Sequence, residues 1–348
     1  MFFMNLSRVK RLGVAVAITM AFVVSSALGA CGTGQPTATQ APPVQLRVQL
    51  SWVHVAAYAG LYMAEAEGHY ATENLDVEIV AGGYDEAGEF IDPVARVLAG
   101  EADFGLIDAG TLLTARAEGK PLVAVVNLYQ RSPVAFVSLA EKGIVRPQDL
   151  VGRTVYLDLY NSGIVYQAML TAAGVDRSQI NEMPRTDYTA GSLLRGEADV
   201  IDAWVDGEVV ELKLLGRDFN MILPSDYGVV MYANVVFTTE ELIKNNPELV
   251  ERFVLATVKG MQAVINTPEK AAEVTVSYDP ENLALDATRQ AVLESLPLLN
   301  PAGSRPGMMP TEDWQTTHQM LLDQGILAQP IDVSVVYDLT FVNKAYAE

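Results

Sequence analysis

The chain has 348 residues, of which 50% are apolar, and its 23 basic against 43 acidic residues give a formal charge of −20. A negative charge of this size repels polyanions, which disfavours nucleic acids and anionic lipid headgroups as partners of the bulk surface. Because Cys31 is the one cysteine, an intramolecular disulfide and a metal site built from several thiolates are excluded.

The first thirty residues have the pattern of an export signal. A basic stretch at 8–11 precedes an apolar run at 12–28, and two small residues stand directly before Cys31. This order resembles the bacterial lipoprotein signal, in which the cysteine is acylated and becomes the new N-terminus. It predicts a signal peptide at 1–30 and a lipid anchor on Cys31, and it leaves a charge of −23 because the removed segment holds three basic and no acidic residues. The alternative is a transmembrane helix over the apolar run, which is slightly short for a span.

Polar, proline-rich sequence follows the cysteine. Residues 31–44 are therefore predicted to be a flexible linker between the anchor and the rest of the chain. We expect a monomer that is fixed by lipid to the extracytoplasmic face of the cell membrane.

Beyond the linker, predicted strands and helices alternate, which is typical of an α/β fold. The first series consists of a strand at 46–50, a helix at 59–68, a strand at 77–80, a helix at 93–99, a strand at 104–107, a helix at 112–118 and a strand at 122–128. The second consists of strands at 134–139 and 154–157, a helix at 163–173, a strand near Met183, a helix at 190–195 and strands at 200–203, 221–224 and 235–238. From Thr239 the chain is mainly helical, with its longest amphipathic run at 248–265.

One short sequence occurs twice. Gly-Glu-Ala-Asp at 100–103 recurs at 196–199, each time after a helix end and before an apolar strand. Polar or aromatic residues follow both strands, at the carboxyl ends where ligands bind in open α/β sheets. We therefore predict two lobes joined by two crossings, with lobe 1 at 45–131 and 234–348 and lobe 2 at 132–233.

The segments at 50–52, 59–64, 67–70 and 74–77 resemble those of a known family. They read Leu-Ser-Trp, Ala-Gly-Leu-Tyr-Met-Ala, Glu-Gly-His-Tyr and Asn-Leu-Asp-Val. Over about residues 46–265 the chain resembles the NMT1/THI5-like proteins, which bind thiamine pyrimidine precursors. The resemblance implies a type II periplasmic-binding-protein fold, two α/β lobes joined by a two-strand hinge, in a receptor that delivers its ligand to an ABC-type membrane permease.

The chain departs from the family pattern at the expected ligand wall. Members that bind pyrimidines carry a Pro-Asn turn after the tryptophan and a histidine two residues before the glycine. This chain has His54-Val55 and Tyr58 at those places. These residues make the expected wall wider, flatter and less polar, so we expect a larger ligand.

Aromatic residues in loops or at element ends predict a slot for a flat ligand, closed by a clamshell motion of the lobes. They are Trp52, Tyr58, Tyr84, Tyr160, Tyr188, Trp204 and Tyr227. The predicted polar ligand-binding residues are Asp108, Asn161, Ser162, Asp206 and Glu208. The acidic members of this set are expected to accept hydrogen bonds from hydroxyl and ring N–H groups and to disfavour phosphate.

An uncharged planar ring with a row of hydroxyls meets these demands, and riboflavin-binding receptors occur among the family's relatives. We therefore predict riboflavin as the transported vitamin, with a thiamine pyrimidine precursor as the alternative. The family also includes fungal pyrimidine-synthesising proteins that use a lysine, a histidine and a cysteine-rich iron motif. Because this chain lacks those cysteines, we predict a binding protein with no catalytic residue, no metal and no cofactor.

Overall fold

The computed structural model describes residues 41–159 and 162–347. In this part of the chain, no helix is both long and apolar enough to cross a membrane. Several predictions lie outside the described residues: the signal peptide, the lipid anchor on Cys31, the linker up to residue 40, and the site residues Tyr160 and Asn161.

The described residues form ten strands and thirteen α-helices, joined by turns and short 3₁₀ helices. The strands are β1 (Val44–Gln49), β2 (Leu75–Val80), β3 (Phe104–Ile107), β4 (Leu122–Tyr129), β5 (Val134–Leu139), β6 (Thr154–Leu157), β7 (Asn181–Pro184), β8 (Val200–Trp204), β9 (Phe219–Ile222) and β10 (Ala233–Thr239). The helices are α1 (Ala59–Ala66), α2 (His69–Thr72), α3 (Pro93–Leu98), α4 (Ala109–Ala117), α5 (Gly163–Ala172), α6 (Gly191–Leu194), α7 (Glu208–Leu214), α8 (Glu240–Asn245), α9 (Pro247–Asn266), α10 (Pro268–Tyr278), α11 (Leu285–Leu299), α12 (Thr311–Asp323) and α13 (Thr340–Ala345).

The strands form two five-stranded sheets with the same wiring. The first has the order β2-β1-β3-β10-β4 and the second has the order β7-β6-β8-β5-β9. In each sheet the first three strands are parallel and the fourth is antiparallel to both of its neighbours. The chain leaves the first sheet after β4 and returns to it after β9, so two connections join the sheets. The predicted two-lobed α/β fold is therefore confirmed, and we call the sheets with their helices the first lobe and the second lobe.

The predicted strands agree closely with these bounds, whereas the helices differ more, most clearly at α4 and α7. We expected a helix from residue 112, but α4 begins at Ala109 because the Asp108 carboxylate accepts a hydrogen bond from the backbone N–H of Thr111. Such a cap satisfies a donor that the first helical turn would otherwise leave free. Helix α7 was not predicted, because the acidic residue that begins it, Glu208, was assigned to a polar cluster.

Close packing of α1 against α9 holds the segment between β1 and α1, residues 50–58, in place. Helix α9 packs along α1, and a Cβ atom added to Gly260 would lie only 2.6 Å from the Cβ atom of Ala64. Gly60 lies on the facing side of the same contact. Glycine at both positions lets the two backbones approach, which anchors the start of α1 next to the residues after β1.

The two Gly-Glu-Ala-Asp segments have the same local structure. Their glycines have φ angles of +71° and +72°, in the left-handed region that favours glycine. The aspartate N–H donates to a carbonyl of the neighbouring strand over 2.9 Å in both lobes, from Asp103 to Arg47 and from Asp199 to Thr154. The carboxylate in turn accepts from the N–H of that strand residue, over 2.7 Å and 3.1 Å. The repeat therefore occupies equivalent positions in the two sheets.

Candidate functional site

A cavity of about 350 Å³ lies between the two lobes. It lies beyond the carboxyl ends of β1, β6, β7 and β8, where ligands bind in open α/β sheets. Its volume falls in the range of about 300–1,000 Å³ that is usual for small-molecule sites. The lining residues are Ser51, Trp52, Val55, Ala57 and Tyr58 of the first lobe, and Asp158, Arg185, Tyr188, Asp202, Trp204, Asp206, Gly207, Glu208 and Glu211 of the second.

Aromatic rings from both lobes meet at this cavity. The Trp52 and Tyr188 rings, one from each lobe, are in edge-to-face contact with their centres 5.2 Å apart. Trp204, at the end of β8, contributes a third ring to the lining. Such rings offer flat apolar surface to a planar ligand, and a stacked pair contributes about 0.5–1.5 kcal/mol beyond the area it buries. The structure thus brings together most of the aromatic residues that the sequence predicts.

Tyr58 lines the cavity but is part of the first lobe's core. Its side chain is 1% exposed, and its hydroxyl lies 2.9 Å from the Oγ atom of Ser51. Burial raises the pKa of Tyr58, although its hydrogen bond with Ser51 lowers it in part. Tyr58 is therefore a rigid wall residue rather than a mobile stacking ring.

A buried arginine connects the second-lobe wall. Arg185 follows β7, and its guanidinium donates to two backbone carbonyls in the loop at 187–189. It also donates to the carboxylates of Asp202 and Glu208, over 3.2 Å and 2.5 Å. The guanidinium lies 5.4 Å from the centre of the Tyr188 ring, within cation–π distance. Burial lowers the pKa of Arg185, but the two carboxylates raise it by more, so the group stays charged.

Glu208, a predicted ligand-binding residue, lines the cavity and also supports its wall. Its side chain is buried, and one carboxylate oxygen accepts from Arg185. The other oxygen accepts from the backbone N–H of Trp204 over 2.9 Å. Because each oxygen already accepts a hydrogen bond, the Glu208 carboxylate holds the backbone at Trp204, and with it the indole ring, in place.

Asp206 makes a hydrogen bond between the lobes. Its Oδ2 atom accepts from the hydroxyl of Tyr129, the last residue of β4, over 2.6 Å. The Oδ1 atom is buried and has no hydrogen-bond partner among the described residues. Burial raises the pKa of Asp206 to about 6, against the lowering effect of the Tyr129 hydroxyl. A buried acceptor without a partner is costly, so a ligand donor at this position would gain a well-placed hydrogen bond.

A second, smaller cavity of about 50 Å³ adjoins the first, and Ser51 and Trp204 line both. Asp108 lies at this smaller cavity and not at the larger one. Its carboxylate accepts from the N–H and the hydroxyl of Thr111, over 2.8 Å and 2.6 Å. Burial raises the pKa of Asp108, and these bonds lower it in part. That Asp108 binds ligand stays a prediction, and the place for such a contact is the smaller cavity, where the carboxylate also caps α4.

Three other predicted residues do not line the larger cavity. Tyr84 is 49% exposed and packs its ring edge against Trp52, with the ring centres 5.8 Å apart. Ser162 is buried and hydrogen-bonds the Asp202 carboxylate. Tyr227 lines a separate groove between α5 and α12, because it follows β9, the outermost strand of the second sheet.

The larger cavity is strongly acidic. Five of its lining residues carry carboxylates and one, Arg185, is basic: Asp158, Asp202, Asp206, Glu208 and Glu211 face a single guanidinium. An anionic group brought into such a site loses water and gains no balancing charge. The lining therefore favours neutral or cationic ligands with hydrogen-bond donors. The described residues contain no group of three or more His, Cys, Asp or Glu side chains arranged to hold a metal ion.

Three lining residues were not predicted from the sequence: Arg185, Asp158 and Glu211. Arg185 and Asp158 each follow the last residue of a strand, β7 and β6. The rule that ligand sites lie beyond the carboxyl ends of strands would have identified both of them. Glu211 lies one turn into α7, the helix that was not predicted, and accepts from the backbone N–H of Ala190.

Comparison with known proteins agrees with this architecture. Residues 56–271 match the family model described as NMT1/THI5 like. The riboflavin-binding protein RibY of Chloroflexus aurantiacus is 27% identical to the chain, over 93% of this chain and 97% of that protein. The formylaminopyrimidine-binding protein of Halalkalibacterium halodurans is 30% identical, over 82% of this chain and 87% of that protein.

Solved structures show the same fold at low sequence identity. The periplasmic aliphatic sulphonate binding protein SsuA of Escherichia coli superposes with a TM-score of 0.65 at 14% identity, covering 84% of this chain and 91% of that one. This likeness confirms the type II periplasmic-binding-protein fold. Because the family model covers more than half of the sequence, the chain belongs to the NMT1/THI5-like family.

Proposed function

We propose that the chain is the substrate-binding lipoprotein of an ABC importer and that it captures riboflavin. Binding-protein relatives that cover more than four fifths of this chain support a solute-binding role over an enzymatic one. The lipid anchor on Cys31 and the flexible linker would keep a monomeric receptor close to its permease. The observation that carries the proposal is the acidic cavity with aromatic walls between the lobes.

The shape of the cavity suits a planar ligand larger than a single pyrimidine. Rings of Trp52, Tyr188 and Trp204 provide flat surface on two sides, and Val55 and Ala57 add small apolar contacts. The lining residues from the segment after β1 are uncharged: Ser51, Trp52, Val55, Ala57 and Tyr58. An isoalloxazine ring is flat and mainly apolar on its faces, so stacking would supply much of its affinity.

The charge of the cavity suits riboflavin's polar groups. Riboflavin is uncharged at neutral pH, and its ring N–H and chain hydroxyls are hydrogen-bond donors. The buried Oδ1 atom of Asp206 has no partner among the described residues and would accept one of them. Flavin mononucleotide differs by an anionic phosphate, which the surrounding carboxylates would repel.

Binding would close the lobes like a clamshell. Contacts that join them in this structure include the Trp52–Tyr188 ring contact, the Tyr129–Asp206 hydrogen bond, and a 2.6 Å ion pair between Lys213 of α7 and Glu294 of α11. We place the hinge at the two connections between the sheets, next to the predicted lobe boundaries at 131/132 and 233/234. A ligand promotes closure only through the additional contacts that it makes in the closed state.

A thiamine pyrimidine precursor is the second candidate. The 30% identity with a formylaminopyrimidine-binding protein favours it, since this identity exceeds that with RibY. A pyrimidine would fill less of the cavity and would leave one or more of the aromatic walls without contact. Riboflavin therefore remains the first choice.

A fluorescence titration tests the proposal. Purified protein is expected to quench riboflavin fluorescence and to bind flavin mononucleotide more weakly. Trp52→Ala and Trp204→Ala should each weaken riboflavin binding by at least about fivefold, as truncation of a central aromatic anchor does. Tyr227→Ala is the matched control and should leave the affinity unchanged, because Tyr227 lies in the separate groove. Absence of quenching, together with a pyrimidine-induced rise in melting temperature, would instead support the second candidate.

A further inference from the structure

The smaller cavity lies where the chain passes between the lobes. Ser132 and Pro133, in the connection from β4 to β5, form one side of it. Met231 and Asn234, at the connection that enters β10, form another. Because Ser51 and Trp204 line this cavity as well as the larger one, a ligand in the larger cavity could extend a substituent into it.

Asn234 is an unusual residue at this cavity. Its side chain is 3% exposed, and its amide nitrogen has no hydrogen-bond partner among the described residues. Its φ angle is +55°, although it lies inside strand β10. Asparagine tolerates this left-handed conformation better than most residues, but glycine adopts it with less strain. A strained position with an unpaired buried amide is the kind of feature that persists at binding sites.

The size and chemistry of the cavity define what it can accept. A volume of about 50 Å³ exceeds the share of one water molecule in the liquid, about 30 Å³, so it fits one or two small groups. A free amide N–H needs an acceptor, which a hydroxyl or carbonyl oxygen provides. The nearby Asp108 carboxylate disfavours an anionic acceptor such as phosphate.

We propose that the smaller cavity binds the end of an uncharged, hydroxyl-bearing substituent of the ligand, with the Asn234 amide donating to a ligand oxygen. This inference rests on the proposed function, because it assigns part of the same ligand. Both connections between the lobes line the cavity, so a substituent there contacts each hinge segment. Asn234 is then a specificity-determining residue that distinguishes ligands with the substituent from those without it.

A comparison of two flavins tests the assignment. Riboflavin carries the hydroxylated chain, and lumiflavin has the same ring system with a methyl group instead. The Asn234→Gly variant should lose about five- to tenfold in riboflavin affinity, the effect of one hydrogen bond, and should bind lumiflavin as the wild type does. Its melting temperature should not fall, since glycine fits the positive φ angle.

Asn74→Gly is the matched control. Asn74 has a φ angle of +53° and lies in the turn before β2, and it lines neither cavity. The same substitution at this backbone conformation should leave the affinity for both flavins unchanged. Equal losses for riboflavin and lumiflavin in Asn234→Gly would overturn the assignment, because they would indicate a distorted hinge. Unchanged affinity for riboflavin would overturn it as well.

The titrations give a different result if the riboflavin proposal is wrong. In that case wild-type protein binds neither flavin, and the titrations are repeated with 4-amino-5-hydroxymethyl-2-methylpyrimidine and its analogue with methyl in place of hydroxymethyl. The Asn234→Gly variant should then lose affinity for the hydroxymethyl compound alone. If the wild type binds neither pair of ligands, both the proposed function and this assignment are wrong.

Discussion

Strands β3 and β8 follow the same four residues and start with the same backbone contacts, but the residues at their carboxyl ends have different roles. Counting from the aspartate of the repeat, Asp108 in the first lobe corresponds to Trp204 in the second. Asp108 caps helix α4 and has both carboxylate oxygens occupied. Trp204 lines the large cavity, and its backbone N–H donates to Glu208. Equivalent positions in one scaffold can therefore cap a helix in one lobe and line the large cavity in the other.

In the second lobe, a buried arginine holds the carboxylates near the carboxyl end of β8. The hydrogen bonds described for Asp108 at the end of β3 involve no such cation. Arg185 forms ion pairs with two buried carboxylates, those of Asp202 and Glu208. At the end of β3, Thr111 donates to Asp108 through its N–H and its hydroxyl. The comparison teaches that an acidic cluster after a strand can form a cavity wall when a cation organises it.

Removal of that arginine should have the largest effect. Arg185→Ala leaves two buried carboxylates without their cation, which should lower the free energy of unfolding by about 3–5 kcal/mol. Urea denaturation measures this loss. Arg185→Lys is the control variant and should recover part of the stability, since it restores the charge but not the five fixed donors. A loss below about 1 kcal/mol in Arg185→Ala would show that the cluster does not depend on the guanidinium.

Substitution of Asp206 should change the free energy of unfolding by a smaller amount, and this amount should depend on pH. Its pKa is raised by burial from the ordinary 3.8 to about 6, so between these values the folded chain binds a proton that the unfolded chain has lost. The free energy of unfolding should therefore decrease as the pH rises through this interval and should not change further above it on account of this group. Asp206→Asn should remove the decrease and raise stability at pH 7 by about 1–2 kcal/mol.

The same variant should bind ligand more weakly, because an amide replaces one acceptor oxygen by a donor. Thermal denaturation between pH 4 and 8 and a ligand titration at pH 7 together measure the two effects. Tyr129→Phe, which removes only the donor of the bond between the lobes, is the control for the contribution of that bond. A variant that binds ligand as the wild type does would exclude Asp206 as a ligand acceptor.

The smallest expected effect concerns the first lobe. Asp108→Ala removes the cap of α4 and should lower the free energy of unfolding by about 1 kcal/mol. Asp108→Asn should retain most of the stability, since asparagine caps helices equally well. Thermal denaturation of the two variants decides the matter. If alanine and asparagine destabilise the chain to the same extent, the charge of Asp108 has a role that the helix cap does not explain.

Local sequence patterns predicted the fold well for a physical reason. Strands such as β4 and β5 are buried along their full length, and buried strands have continuous apolar sequences. The repeat indicated equivalent places in the two sheets because the glycine and the aspartate are required by the backbone there. Trp52, Tyr188 and Trp204 were predicted because they are aromatic residues in loops or at element ends, and all three line the large cavity.

The remaining features of the site depend on contacts between distant residues. The bond between Tyr129 and Asp206 joins residues 77 positions apart, and no local pattern encodes it. Arg185 gains its importance from Glu208, which belongs to another element. Tyr227 shows the opposite error, because a position after a strand is not sufficient when that strand lies at the edge of the sheet.

The strand order of the first sheet has a consequence for the synthesis of the protein. Among the described strands, β4 pairs only with β10, which lies between β4 and β3 in the sheet. A ribosome must therefore synthesise the whole second lobe before β4 can join its sheet. Until residue 239 is made, the backbone edge of the mostly apolar strand β4 has no strand to pair with, so a fragment ending after β4 should aggregate rather than fold as an independent lobe.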